Sequence, residues 1–323
     1  MRPGKGILLI TTVFLSVVSI SPEARAEKKI GILMFSEEAR YTVARKGFTD
    51  KLREEGYAEP NTRLIFENAE ANKARAAELV KEYSAGKMDL IVTFGTSITI
   101  PVAREIRDTP IVFGMVYNPV EAGIAKDWKS SGNNTTGATT IFPMENLLDR
   151  LMEVRKVRRL SVLYTPGEKN SEAQLKDLRD ARSAYGIRVI PVPLTNREEF
   201  RQILPEVVRT SDAMFITGSN LVNSRISMIV GMAAKANVVT ITHLDDLVEK
   251  GVLLGVCTNS YLNGRLAGEK AIRILRGAAP STIPIESPGE LSVLINMDTA
   301  RAGNFRIPEE FMKKATAIRN GHR

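Results

Sequence analysis

The feature that most limits what this chain can fold into is a regular alternation of short apolar runs with amphipathic stretches of helical period. "KKIGILMF" reads as a buried strand, and "YTVARKGFTDKLREEGY" reads as an amphipathic helix that stops at Gly56. "TRLIFEN" is followed by "KARAAELVKEYSAG", and "DLIVTF" by "ITIPVAREIR", before "PIVFGMV" closes the series. Strands that are apolar throughout, with a helix between each pair, predict a parallel sheet covered by helices on both faces.

The pattern then starts again. "PMENLLDRLMEVRKV" predicts a helix, "RRLSVLYTP" a strand, and "SEAQLKDLRDARSAYG" a helix capped by Asn170 or Ser171. "IRVIPVPL", "REEFRQILPEVV", "DAMFITGSN", a long helix and "VVTITH" follow. "DLIVTFGTSITIPVARE" and "SDAMFITGSNLVNSRIS" share one plan: an acidic residue, an apolar strand, a Gly-containing polar turn and a helix. This predicts an approximate internal duplication, two similar α/β lobes in succession, and 323 residues suit two domains better than one.

The first residues are set apart from this pattern. Arg2 and Lys5 precede the apolar run "ILLITTVFLSVVSI", and Ala24 and Ala26 follow in an A-x-A arrangement. That is the plan of a secretory signal peptide cleaved after Ala26. The alternative, a membrane anchor, needs ~20 apolar residues, and this run is shorter. No Cys follows the run, so a lipoprotein is not expected. The only Cys is Cys257, which excludes an intramolecular disulfide and a thiolate metal site. The net charge of +8 is spread along the chain, and its densest cluster, "RKVRR" at 155–159, reads as a solvated face. Export and the absence of a concentrated basic stripe argue against a nucleic-acid partner.

In open α/β sheets ligands sit beyond the C-terminal strand ends, and domain junctions favour pockets. The candidate binding residues are therefore those just after each strand. Gly95, Thr96 and Ser97 end one strand and open a helix, whose free N–H groups attract an anionic group. Neither G-x-x-x-x-G-K-[ST] nor G-x-G-x-x-G is present, so no nucleotide cradle is expected, and a plain capping turn is the alternative. The equivalent turn recurs at Gly218, Ser219 and Asn220. Tyr117 and Asn118 end the next strand, Tyr117 able to stack on a ligand or to cover an edge. Ser36, Glu37 and Arg40 follow the first strand, where Glu37 and Arg40 could meet a ligand's ammonium or carboxylate, or be solvated. Tyr164, Thr165, Asn170 and Ser171 lie beyond "RRLSVL". His243 ends "VVTIT", and a lone His is more often structural than a ligand. Asn259 and Tyr261 follow "GVLLGVCT". With two His in the chain and no H-E-x-x-H or G-x-S-x-G, catalytic and metal constellations are hard to build. Neither an enzyme nor a cofactor is expected, and a binding module is.

Several stretches together resemble the ABC-transporter substrate-binding family. "VTFGTSITIPVAREIRDTPIVF" looks like its Gly-Thr turn and helix, and "VYNPVEAGIAKDWKSSGNNTTG" is similar to a segment that begins D-P-V. "YLNGRLAGEKAIRILRGAAPSTIPIESPGELSVLINMDTARAGNFRIPEEFMKKA" is similar to its C-terminal signature. The resemblance implies the type I periplasmic binding protein fold: two Rossmann-like lobes with parallel sheets, joined by a hinge like a venus flytrap. It places the first lobe at residues 27–141 plus about 260–280, the second at 142–259 plus about 281–316, and a tail at 317–323. It further implies a periplasmic monomer that captures a small-molecule solute by hinge closure and passes it to an ABC permease in the inner membrane. A periplasmic sensor partnering a membrane receptor is the alternative. Some relatives bind aromatic or other amino acids. Here Asn118 replaces the usual Asp, and Ser219-Asn220-Leu221 lacks the usual acid, so a small polar solute, carboxylate or neutral, is expected ahead of an amino acid.

Overall fold

The structure, a computed structural model, describes residues 27–318; the expected signal peptide at 1–26 and residues 319–323 of the expected tail lie outside them. The first sheet contains β1 (Lys28–Met34), β2 (Thr62–Asn68), β3 (Leu90–Phe94), β4 (Ile111–Val116) and β5 (Thr135–Thr139). All five run parallel, in the order β2-β1-β3-β4-β5. Successive side chains of a strand face opposite ways, and here both faces are dry. Ile30, Ile32 and Met34 pack with Phe48, Leu52 and Ala267 on one side, while Leu33 and Phe35 pack with Leu79, Ile98 and Val102 on the other. That is why the strands read as continuous apolar runs.

The second sheet adds β6 (Arg159–Tyr164), β7 (Arg188–Pro193), β8 (Ala213–Ile216), β9 (Val239–Thr242), β10 (Leu254–Thr258), β11 (Leu291–Asn296) and β12 (Thr316–Ile318). Its order is β12-β11-β10-β9-β8-β6-β7. Pro191 and Pro193 sit in β7, at the sheet's edge, where a missing N–H costs no ladder bond. Two strands depart from the all-parallel expectation: β11 runs antiparallel to β10, with Thr258 opposite Leu291 and Leu254 opposite Ile295, and β12 runs parallel to β11. The reason is the route of the chain. After Thr258 it leaves for the first lobe and returns on the same side, so β11 must start where β10 ended. Residues 317 and 318, expected in the tail, extend the sheet as part of β12. The expected long helix after β8 is two pieces, Asn220–Asn223 and Ile226–Lys235.

Between β10 and β11 the helix Ser260–Leu275 packs against the helix Ala39–Glu54 of the first lobe. The chain stays there up to Glu286, which bridges to Ala138. Thr136 Oγ1 donates to the Ile283 carbonyl at 2.8 Å, and buried Lys270 holds both the Pro284 carbonyl, at 2.7 Å, and Glu286. The return to the second lobe therefore follows Glu286, not residue 281.

The contact between those two helices is too close for side chains. A Cβ at Gly264 would lie 1.8 Å from the Ala44 carbonyl oxygen, and one at Gly47 would lie 2.1 Å from that of Tyr261. Gly264→Ala is expected to cost about 1–3 kcal/mol or more by forcing backbone apart. Gly231→Ala, on an exposed helix face with nothing within 4 Å, should stabilise by about 0.5–1 kcal/mol. Urea unfolding of the two variants checks both signs.

Candidate functional site

The C-terminal ends of β1, β3 and β4 face those of β6, β8 and β9 across the junction, and the segments after them touch directly. Arg40, in the first turn of Ala39–Glu54, reaches Asp246, just after β9. Its Nη1 donates to Oδ1 at 3.0 Å and to Oδ2 at 2.9 Å. The side chains are only 2% and 3% exposed, so this is a buried ion pair between lobes. Burial alone would lower the Arg40 pKa, but Asp246, Tyr41 and Glu38 raise it, and the guanidinium stays charged. Lys250 pairs with Glu38 across the same seam at 2.9 Å and approaches Asp246 at 3.4 Å. Two cations thus meet two carboxylates.

Three further bonds cross the junction. The Tyr117 hydroxyl donates to Asp177 Oδ2 at 2.7 Å. Burial, with Asp177 beside it, holds the Tyr117 pKa well above its ordinary value, and burial also raises that of Asp177. Asn220 Nδ2 donates to Ser97 Oγ at 3.1 Å, and Ser36 Oγ donates to Asn220 Oδ1 at a long 3.5 Å.

Behind these bonds lies a cavity of about 20 Å³, walled by Arg40, Tyr41, Thr96, Met115, Tyr117 and Thr140 on one side and by Asn170, Gln174, Gly218, His243 and Leu244 on the other. It has room for little more than a water molecule, which needs ~10–15 Å³ by the same measure. A larger solute enters only if the lobes part or the lining side chains turn.

The polar groups of this cavity have a definite polarity. Gln174 Oε1 accepts from the Gly218 N–H at 2.8 Å, which leaves its Nε2 to donate to His243 Nε2 at 3.2 Å. His243 Nε2 is therefore the acceptor, and the neutral ring carries its proton on Nδ1. Burial, and then the Arg40 charge, push the His243 pKa down to about 3, so the ring is neutral. His243 Nδ1 and Arg40 Nη2 are both buried without a hydrogen-bond partner. Two donors thus stand at the cavity unfilled, and leaving such groups unpaired costs about 1–3 kcal/mol each, more for a charged one.

Backbone geometry supports the same wall. Gly95 has φ +97°, and a Cβ there would meet the Tyr41 ring at 2.7 Å, so only glycine fits. No side chain caps the helix Thr96–Glu105 that follows, whereas Ser219 caps Asn220–Asn223 by accepting from the Val222 N–H. Met115 lies in the left-handed region at φ 57°, beside an irregularity in the β4–β5 register. Buried Asn263 holds it there, accepting from the Met115 N–H at 2.8 Å and donating to the Thr139 carbonyl at 2.9 Å.

Of the residues singled out from sequence, Arg40, Thr96, Tyr117, Asn170, Gly218 and His243 line the cavity, and Gly95 abuts it through Tyr41. Ser36, Ser97 and Asn220 lie in the seam. Thr165, Ser171 and Ser219 brace the strand ends instead: Thr165 Oγ1 and Ser219 Oγ are 2.6 Å apart, and Ser171 Oγ accepts from the Thr165 N–H at 3.0 Å. The remaining five are spent elsewhere. Glu37 is exposed. Asn118 closes its own turn, accepting from the Glu121 N–H at 3.1 Å. Tyr164 packs on the second lobe's core, and Asn259 caps Ser260–Leu275. Tyr261 turns to the outer face, where its hydroxyl donates to Asp50 at 3.0 Å. Sequence reasoning passed over Tyr41, Met115, Thr140, Gln174 and Leu244. Gln174 was within reach, since it follows Asn170 by four residues and shares its helix face.

The model of the family described as ABC transporter substrate binding protein matches residues 29–319. The chain belongs to this family. It is 26% identical over 283 residues to a tyrosine-binding protein of Clostridioides difficile, covering 87% of this chain and 82% of that one. A solved structure from Streptococcus pneumonia, an ABC domain in complex with L-Trp, matches with a TM-score of 0.85 at 24% identity, over 91% of this chain and 100% of that one. A leucine-binding protein of Thermotoga maritima matches with a TM-score of 0.62 at 14% identity, over 77% and 83% of the two chains. The fold is that of the type I periplasmic binding proteins, and the family is one of solute binders. Among the described residues no helix is long and apolar enough to cross a membrane, and no group of metal-binding side chains is present.

The buried pair acts only while the lobes touch, since apart both ions are hydrated. Removing one charge strands the other and is expected to cost the touching state about 3–5 kcal/mol. Asp246→Asn should therefore open the cleft, seen as a larger radius of gyration by small-angle X-ray scattering, with a far smaller loss of global stability. An unchanged radius would contradict this.

Proposed function

We propose that this protein is the extracytoplasmic solute-binding component of an ABC importer, without catalytic activity, and that its solute is a small carboxylate, an aromatic amino acid being the first candidate. The observation that carries the reading is the pair of unfilled buried donors, Arg40 Nη2 and His243 Nδ1, at a cavity walled by both lobes. A carboxylate is the group that accepts from both, and charge-assisted bonds of this kind are the stronger ones. Tyr41, Tyr117, Met115 and Leu244 supply a surface suited to an aromatic or apolar side chain. The tyrosine-binding relative from Clostridioides difficile and the L-Trp complex from Streptococcus pneumonia support the same class.

The expectation that Asn118 disfavours an amino acid loses its footing at this cavity, because that side chain is spent on its own turn. Capture then follows from the fold. Solute enters while the lobes are apart, and contacts from both lobes favour the approached form. A permease would read that form.

The test is a thermal-shift series with L-tyrosine, L-tryptophan and L-phenylalanine beside tyramine and tryptamine, which lack the carboxylate. Binding at a hundredfold excess over Kd is worth ~2.7 kcal/mol, roughly 5 °C or more here. At least one amino acid is expected to raise the midpoint while its amine does not. Equal shifts by amine and amino acid would overturn the carboxylate assignment. No shift with any of them would overturn the aromatic class.

A further inference from the structure

A second cavity, of about 200 Å³, lies at the far end of the second lobe and is lined by Val154, Arg155, Asn237, Val239, Asn304, Phe305 and Arg306. It is separate from the cleft. Val239 opens β9, whereas His243 follows the other end of that strand, about 13 Å away at the usual rise per residue. This cavity is also far larger than the one between the lobes.

Its chemistry is two guanidinium groups over an apolar floor. Among the described residues neither Arg155 nor Arg306 forms a salt bridge with a carboxylate, whereas Arg159, close to Arg155 in the chain, pairs with Asp212 at 3.0 Å. Arg155 is fixed in place. Its Nη1 donates to the Asn237 carbonyl at 2.5 Å and to Asn237 Oδ1 at 2.7 Å, and Asn237 Nδ2 donates in turn to the Gly303 carbonyl at 2.6 Å. Those bonds use one nitrogen of the guanidinium and leave the rest of its fork. Arg306 is exposed beside it, and Lys156 and Arg158 are exposed on the neighbouring loop. Val154, Val239 and Phe305 make the floor, and Phe305 packs on the lobe's core.

We propose that this cavity is a second binding site, for a small organic oxyanion, carboxylate or phosphate, carried on an aromatic or apolar body. Paired guanidinium forks suit the oxygens of such a group. A cavity of roughly 150 Å³ already admits a benzene ring, so the space fits the body as well as the charge. The "RKVRR" run, which reads from sequence as a solvated face, supplies the first of the two arginines.

The experiment titrates phenyl phosphate, benzoate and inorganic phosphate into the full chain and follows backbone amides by NMR. Phenyl phosphate or benzoate is expected to shift Val239 and Asn304 to Arg306 and to leave Gly218 and His243 unmoved. Inorganic phosphate should bind at least tenfold more weakly than phenyl phosphate. Arg306→Ala, an exposed change that disturbs no internal bond, should weaken binding at least tenfold, and Arg306→Lys should restore part of it. Whichever of the two organic anions binds more tightly distinguishes phosphate from carboxylate. Absence of shifts at millimolar concentration, shifts at the cleft instead, equal binding of inorganic phosphate, or an unaltered Arg306→Ala variant would each overturn the proposal.

Discussion

The Arg40–Asp246 pair, buried between two lobes, is the interaction on which the cleft depends. Taking two ions out of water costs several kcal/mol each, and only a close, well-bonded partner repays it. The partner is present only when the segment after β1 and the segment after β9 meet, so the pair ties electrostatics to lobe position. Glu38 and Lys250 make the seam neutral overall. Both oxygens of Asp246 lie on one nitrogen of Arg40, so the pair closes the junction without filling the guanidinium. The nitrogen left over is what gives the cavity a preference for an acceptor.

Much of this fold was legible in the sequence, because parallel strands buried on both faces leave continuous apolar runs. "KKIGILM", "LIVTF" and "IVFGMV" occupy β1, β3 and β4. The antiparallel β11 was not legible, since its direction follows from the side on which the chain re-enters the lobe. Site residues divide in the same way. The rule that ligands meet strand ends led to Arg40, Thr96, Tyr117, Asn170 and His243, which follow from topology. It failed for Glu37, Asn118 and Asn259, because a residue after a strand can equally face solvent, close a turn or cap a helix. Met115 was hidden because its side chain enters the cavity through an irregular backbone that no local pattern signals.

The two halves share a plan without sharing a role. In the first lobe Gly95 admits the Tyr41 ring and leaves the next helix start uncapped; in the second, Ser219 caps its own short helix and Gly218 fixes Gln174. Gln174 in turn sets the His243 tautomer. The first lobe thus offers charge and aromatic surface, and the second offers oriented neutral polar groups. Asn263, on the helix that enters the first lobe directly after β10, links the cavity wall at Met115 to the connecting segments. A residue held at φ 57° costs about 1–3 kcal/mol and persists only where its surroundings fix it.

The most direct test of this account is the ¹⁵N spectrum of the imidazoles, of which the chain has two, His243 and His322. His243 is expected to stay neutral between about pH 5 and 7, with its proton on Nδ1, because burial and Arg40 hold its pKa at about 3. Adding the amino acid that binds should then move the Nδ1–H resonance as it donates to the carboxylate. A His243 that titrates near its ordinary 6.5, that carries its proton on Nε2, or whose Nδ1–H is indifferent to the bound amino acid would contradict it.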